Sequence, residues 1–292
     1  MDEHDRLAER FTEHRSHLRA VAYRMLGSLS EADDALQEAW LRASRAEVGQ
    51  VRNLAGWLTT VVARVCLNML RSREQRGEEP LDAQADPLLG PASGGDPEQE
   101  AVMADSVGVA LLVVLDTLTP AERLAFVLHD LFAMPFEEIA PMLERSPAAT
   151  RQLASRARRR VRRPAPVPAV DLARRREVVA AFLAATRGQD FQALITLLHP
   201  DVVLRADKAV IPTPEAVAIH GAESVAKSAM AAMERAQFTG LALIDGALGL
   251  VMAPRGRLRV VLVFTVTDGL IAGIEVVAEP DHLQRLDLAV LD

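Results

Sequence analysis

Residues 144–163, ERSPAATRQLASRARRRVRR, hold eight arginines in a chain whose formal net charge is -7. Guanidinium groups gathered this densely suit a polyanion. Each can grip a phosphate or pair bidentately with guanine, and Gln152 among them can pair with adenine. The segment carries its own helix start, with Ser146 as cap and Pro147 at the first helical position, where its missing N–H costs nothing. Wound at about 100° per residue, Arg151, Gln152, Ser155, Arg158, Arg159 and Arg162 fall on one arc. Leu153, Ala154, Ala157 and Val161 fall roughly opposite, with Thr150 continuing that side. One face is built to pack; the other reaches outward, to nucleic acid or simply to solvent. On the outward face Arg151, Gln152, Ser155 and Arg156 stand nearest the N-terminal end, where base edges would be met. Arg158, Arg159 and Arg162 stand further along, where phosphates would be held.

Other elements must position that helix. Thr119-Pro120-Ala121-Glu122 is a capping box opening a helix with Leu124, Ala125, Val127, Leu128 and Leu131. Phe136 to Leu143 form a short amphipathic helix in which Pro141 fits poorly and bends the chain. The Glu144-Arg145 turn then leads into the arginine-rich helix. Short helix, tight turn and basic helix is the order of a helix-turn-helix, whose second helix enters the major groove.

The frame is a 292-residue chain, 50% hydrophobic, long enough for two or three domains with real cores. Cys66 is the only cysteine, so no disulfide framework or cysteine-based metal cluster is expected, and no cofactor is implied. MDEHDRLAERF is charged and helical in pattern, unlike a signal peptide, and no apolar run approaches the roughly 18 residues that span a bilayer. These features predict a soluble, cytoplasmic protein without a membrane partner. Residues 77–99 (Gly-, Pro- and acid-rich) and 164–169 (PAPVPA) read as linkers dividing the chain into blocks 1–76, 100–163 and 170–292.

The first block reads as three helices: 5–26, a second capped by Ser30, and a third from about Asn53 to Gln75. The second buries Ala32, Ala35, Leu36, Ala39 and Ala43 and turns Asp33, Asp34, Gln37, Glu38 and Arg42 outward. Such acid does not bind DNA; it is either solvated or meets a basic protein. The third helix has an apolar stripe of Leu54, Leu58, Val61, Val62, Val65 and Met69, with Trp57, Arg64, Asn68, Arg71 and Gln75 facing away. Two readings fit Trp57: packing under the 45–52 loop, or stacking on an unpaired base.

EADDALQEAWLRA, NLAGWLTTVVARVCLNMLRSR, DTLTPAERLAFVLHDLFAMPFEEIAPML and SPAATRQLASRARRRV together resemble the extracytoplasmic-function sigma factors of RNA polymerase, over both DNA-binding regions in the right order. The resemblance implies that the helix of Asp33, Asp34, Gln37, Glu38 and Arg42 binds the β′ clamp of core RNA polymerase. It implies that the 45–53 loop (Gln50, Arg52, Asn53) and the outer face of the third helix (Trp57, Arg64, Asn68, Arg71) capture and melt the −10 promoter element. The helix-turn-helix would read the −35 element and dock on the β flap. Promoter DNA and polymerase are thus the implied partners, and the polymerase does the chemistry.

Residues 170–292 read as two helices, a strand VVLRAD, a helix at about 223–234, four β-prone runs and a closing helix PDHLQRLDLAVL. Helices first and a curled antiparallel sheet after make an α+β cone. The order is similar to the SnoaL-like domains carried by a subgroup of these sigma factors, implying regulation in cis. The fold class is therefore multidomain: two all-α DNA-binding domains followed by an α+β SnoaL-like cone. Asp207, Glu279, Asp281 and Arg285 are the regulatory candidates by that likeness. However, Arg205-Ala206-Asp207 is followed by Lys208-Ala209 rather than the subgroup's glycines, and the linker has no tryptophan. His199, Asp201, Asp207, His220 and Asp245 are the only acid–base candidates, in turn or capping contexts. Catalysis, small-ligand binding and purely structural regulation all remain readings of this domain, with no enzyme expected. For the whole chain, a ligand-responsive helix-turn-helix regulator outside the polymerase is the alternative, against which the first block speaks. A DNA-tethered enzyme is a third.

Overall fold

The computed structural model describes residues 3–46, 51, 53–76, 108–162, 169–210 and 217–291. The contacts divide the chain into two compact units.

The first unit is all helical and joins the N-terminal helices to Leu115–Arg159. It starts with α1 (Glu3–Leu26), α2 (Leu29–Ala43) and α3 (Leu54–Arg76). Ser28, not Ser30, is the N-cap of α2; Gly27 takes a left-handed φ of 82°, and the two serine hydroxyls bond each other at 2.9 Å. The expected apolar side of α2, Ala32, Ala35, Leu36, Ala39 and Ala43, is buried. On α3 the buried side is shifted from the stripe read from sequence: Leu58, Val62 and Val65 are buried, but Leu54, Val61 and Met69 are only half-buried. Ala63, Cys66, Leu67 and Leu70 are inside as well, because α3 packs on both α1 and α2. Burial pushes the Cys66 thiol up to about 12, which keeps it protonated and unreactive.

α4 (Val109–Asp116) and α5 (Pro120–Phe126) follow, and the chain continues as a π-helical turn, Val127–Leu131. The Thr119–Glu122 capping box forms as read, each partner bonding the other's backbone. Arg123 ties this part of the unit to the N-terminal helices. Its side chain is 2% exposed, and it donates to the Arg24 carbonyl at 3.3 Å and to Asp116 at 3.3 Å. Burial lowers its pKa, and the Asp116 carboxylate opposes that shift. Phe132 lies edge-on to His17 at 5.2 Å and under the Arg24 guanidinium at 5.3 Å. The two helical blocks separated by the 77–99 segment therefore share one unit, fastened by a buried cation and an aromatic contact. The 77–99 and 164–169 linkers fall outside the described residues except for Ala169.

The second unit gathers the start of α4 and everything from Arg160 on. α8 (Ala169–Arg187) and α9 (Phe191–Leu197) precede β1 (Leu198–Ala206), β2 (Val217–His220), α10 (Ala222–Ala231) and α11 (Met233–Ala236). Then come β3 (Thr239–Ile244), β4 (Ala247–Met252), β5 (Val260–Thr267), β6 (Leu270–Val277), α12 (Pro280–Leu283) and β7 (Leu288–Ala289). The seven strands form one sheet in the order β2-β1-β6-β5-β4-β3-β7, antiparallel except for β1 beside β6. With helices packed on it, this is the expected α+β architecture. Asp245-Gly246 and Asp268-Gly269, all at positive φ, close the β3–β4 and β5–β6 hairpins. The core is centred on Phe182 and Phe264, whose rings meet at 5.4 Å.

Three expectations change. The strand read as VVLRAD begins earlier, at Leu198, so His199 and Asp201 lie within β1. Strand β2 was not legible in the sequence. The closing helix is one turn long. After it Asp245 bonds the Asp287 backbone, and β7 pairs with β3 through Leu243↔Ala289 and Ile244↔Leu288.

Candidate nucleic-acid interface

The helix-turn-helix is built tightly. α6 (Phe136–Ile139) runs into a 3-10 turn, Ala140–Met142, where Pro141 is accommodated by tightening the helix rather than by bending a longer one. The connection closes with the Leu143 and Arg145 N–H groups both on the Ala140 carbonyl, at 3.1 Å each, and with Glu144 in the left-handed region at φ 54°. α7 (Pro147–Val161) then starts with the Ser146 hydroxyl accepting from the Ala149 N–H at 3.2 Å.

α7 has the two faces read from sequence. Thr150, Leu153, Ala154, Ala157 and Val161 are buried, and Arg151, Gln152, Ser155, Arg156 and Arg159 are exposed. Just past its end, Arg162 is exposed too. The Arg151 guanidinium rests over the Phe136 ring at 5.2 Å, and Phe136 stacks on His129 at 3.8 Å, so this arginine is held at the N-terminal end of the helix. Two arginines differ from the expectation. Arg158 pairs with Asp130 at 2.5 Å and Arg156 approaches Glu122 at 3.4 Å. Their positions on the wheel face outward, but their long side chains fold back onto acids of the preceding helical segment. Both are thus ion-paired within the first unit in this structure.

On α3, Arg64, Asn68 and Arg71 form an exposed row at helical spacing, continued by half-buried Trp57. Asn53 is exposed, and its side-chain oxygen accepts from the Gly56 N–H at 3.0 Å and caps α3. Arg52 and Gln50 lie outside the described residues.

On α2, Asp34, Gln37, Glu38 and Arg42 are exposed, with Glu38 and Arg42 paired at 2.8 Å. Asp33 is instead held by Arg19 at 2.7 Å and faced by Arg15 at 4.0 Å, so its charge is spent on α1. Sequence reading missed Leu41, which is 43% exposed and shares this face at i+3 from Glu38 and i+4 from Gln37. The signal was present: a leucine on the polar side of an otherwise well-segregated helix. The face thus combines acid with one large apolar side chain, as a protein-docking surface does.

In the second unit Asp207 and Glu279 come together. The Asp207 carboxylate accepts four backbone N–H groups: Ala209 and Val210 on one oxygen at 3.0 and 3.2 Å, Ala278 and Glu279 on the other at 2.7 and 2.9 Å. It clasps the end of β1 to the segment before α12. Glu279 also pairs with Lys208 at 3.2 Å, while Asp281 and Arg285 are exposed. Asp207→Ala should therefore cost about 3 kcal/mol of stability in this unit, since four donors lose an ionised acceptor. A thermal melt of the full chain that shifts by less than a degree would sink this assignment.

The structure thus places an acidic face with an exposed leucine on α2, an exposed basic row on α3 and a helix-turn-helix on one chain. Residues 10–76 match the family model of Sigma-70 region 2, and residues 108–161 that of Sigma-70, region 4. The chain is 36% identical over 286 residues to the ECF RNA polymerase sigma factor SigJ of Mycobacterium tuberculosis, covering 91% of this chain and 90% of that one. It is also 36% identical over 211 residues to the probable ECF RNA polymerase sigma factor SigI of that species, covering 71% and 72%. The crystal structure of M. tuberculosis SigJ matches at 32% identity over 95% of this chain and 98% of that one, with a TM-score of 0.44. The chain belongs to the ECF RNA polymerase sigma factors, which direct transcription and are not enzymes. Nothing in these likenesses favours a regulator that acts apart from the polymerase. Among the described residues, no helix is long and apolar enough to cross a membrane.

Proposed function

We propose that this sigma factor docks on the β′ clamp of core polymerase through Asp34, Gln37, Glu38, Leu41 and Arg42 of α2, in the cytoplasm. The α3 row of Trp57, Arg64, Asn68 and Arg71 holds and opens the −10 element. The N-terminal end of α7 reads the −35 element while its helix-turn-helix rests on the β flap. The observation that supports this reading is the division of labour within one helical unit: an acidic face with an exposed leucine on α2, and a basic row on α3. Acid repels phosphate and suits a basic protein; arginines spaced along a helix suit a strand being opened.

The C-terminal domain modulates this activity in cis, with a small molecule as its input. Two contacts within the second unit support the first part. A Cβ on Gly240 of β3 would stand 2.9 Å from the Val109 Cβ at the start of α4, and the Val290 N–H donates to the Val161 carbonyl at the end of α7 at 3.0 Å. Inside the second unit, Val109 and Val161 thus meet the sheet and the tail.

Run-off transcription with purified core polymerase tests the reading; no stable complex with core would end it. Trp57→Ala should leave polymerase binding intact and slow promoter opening about tenfold, the lower range of one lost base stack. Normal opening by a polymerase-bound Trp57→Ala protein would remove the stacking role and return Trp57 to packing.

A further inference from the structure

The second unit holds a half-open pocket. A cavity of about 350 Å³ lies between one face of the sheet and helices α8, α10 and α11, walled by side chains such as Phe182, Leu204, Ile219, Leu250, Leu262 and Ile274. Close-packed interiors leave few voids larger than a water, whereas small-molecule sites run from roughly 300 to 1,000 Å³. This space is therefore of ligand size rather than a packing fault.

Its chemistry is one-sided. Among the described residues no carboxylate, imidazole or ammonium lines it, and none of the five acid–base candidates, His199, Asp201, Asp207, His220 or Asp245, reaches it. Its three hydroxyls are already donating inward: Thr186 to the Phe182 carbonyl at 2.9 Å, Ser228 to Ser224 at 3.0 Å and Thr239 to Arg235 at 3.0 Å. Arg235, the one ionisable side chain in the wall among the described residues, is itself engaged. Water needs two to four polar partners to be held well, and this wall offers few. An apolar molecule, by contrast, gains free energy in proportion to the surface it removes from water.

We infer that this cavity binds an uncharged, predominantly hydrocarbon small molecule. The inference deepens the reading of the C-terminal domain as the ligand-responsive part of the chain, and it assigns the ligand's class. A phosphorylated ligand or a sugar would leave most of its polar groups unpaired against a wall that is hydrocarbon apart from Arg235 and three hydroxyls among the described residues.

The test is a titration of the full-length protein with N-phenyl-1-naphthylamine, an uncharged probe whose emission rises on leaving water. Saturation at one probe per chain is expected, with 1-decanol displacing it at least about tenfold better than decanoate. Ala229→Phe, which fills the cavity from α10, should weaken the probe at least about tenfold without lowering the melting temperature. Ala232→Trp, at a half-buried wall position, repeats the test should Ala229→Phe fail to fold. No saturable signal, or wild-type affinity in a folded filled variant, overturns the site. Decanoate competing as well as decanol overturns the neutral class. Run-off transcription without any probe judges the sigma-factor reading separately, so active transcription with no probe binding would sink this inference alone.

Discussion

Asp34→Lys combined with Glu38→Lys should abolish stable association with core polymerase, a loss of at least about 100-fold in affinity, and all run-off transcription with it. Close charge pairs across protein interfaces couple by about 1.5–7 kcal/mol, and reversal replaces each attraction by repulsion. Both side chains are exposed, so the fold has little to lose. Among the described residues only the Glu38–Arg42 pair is broken, and an i,i+4 surface pair is worth about 0.3–0.5 kcal/mol. Leu41→Ala should add a further loss, because the one large apolar side chain on that face would be buried on docking. Asp33→Ala is the informative contrast. Asp33 is bonded to Arg19, so its removal should lower the melting temperature and spare most of the affinity. Core binding by the double reversal within threefold of wild type, measured by fluorescence anisotropy, would overturn α2 as the docking surface. So would an Asp33→Ala protein that melts normally but no longer binds.

How far the sequence led depended on whether a feature was local. The buried sides of α2 and α7 follow from a 3.6-residue period, and every residue named for those sides is inside. The Thr119–Glu122 box was legible because its partners are three residues apart. What failed was set at long range. LDLAVL carries both a helical and an alternating pattern; pairing with β3 and the Asp245–Asp287 bonds decide for a strand, across more than forty residues. Glu122 and Asp130 lie 34 and 28 positions from Arg156 and Arg158, so no local pattern could show that those arginines fold back. Arg123 is the sharpest case. An arginine in a helix reads as surface, yet its counter-ion and the Arg24 carbonyl make it the tie between two blocks. In the C-terminal domain the likeness pointed to Asp207 as a contact residue. Its four backbone partners make it a clasp on the Glu279 segment.

The same distinction separates the arginines of α7 by experiment. Gln152→Ala and Arg151→Ala should each weaken holoenzyme binding to a cognate promoter by about 1–3 kcal/mol, and relax preference at one −35 position, because a bidentate base contact is lost. For Arg151 the stack on Phe136 is also lost, but an exposed cation–π contact contributes only about 0.5–1 kcal/mol and leaves the helix in place. Arg159→Ala should weaken all promoters alike and reduce the salt dependence by about one ion, as a phosphate contact does. Arg158→Ala and Arg156→Ala should behave otherwise. Each removes a guanidinium that pairs with Asp130 or Glu122, so the first unit should melt lower while promoter preference is unchanged. Promoter affinities measured at two salt concentrations, alongside melting curves, sort the five variants into these three classes. If Arg158→Ala lost promoter preference and kept its melting temperature, the outward-facing wheel would have been the better guide, and the ion pair with Asp130 only a resting place that DNA displaces.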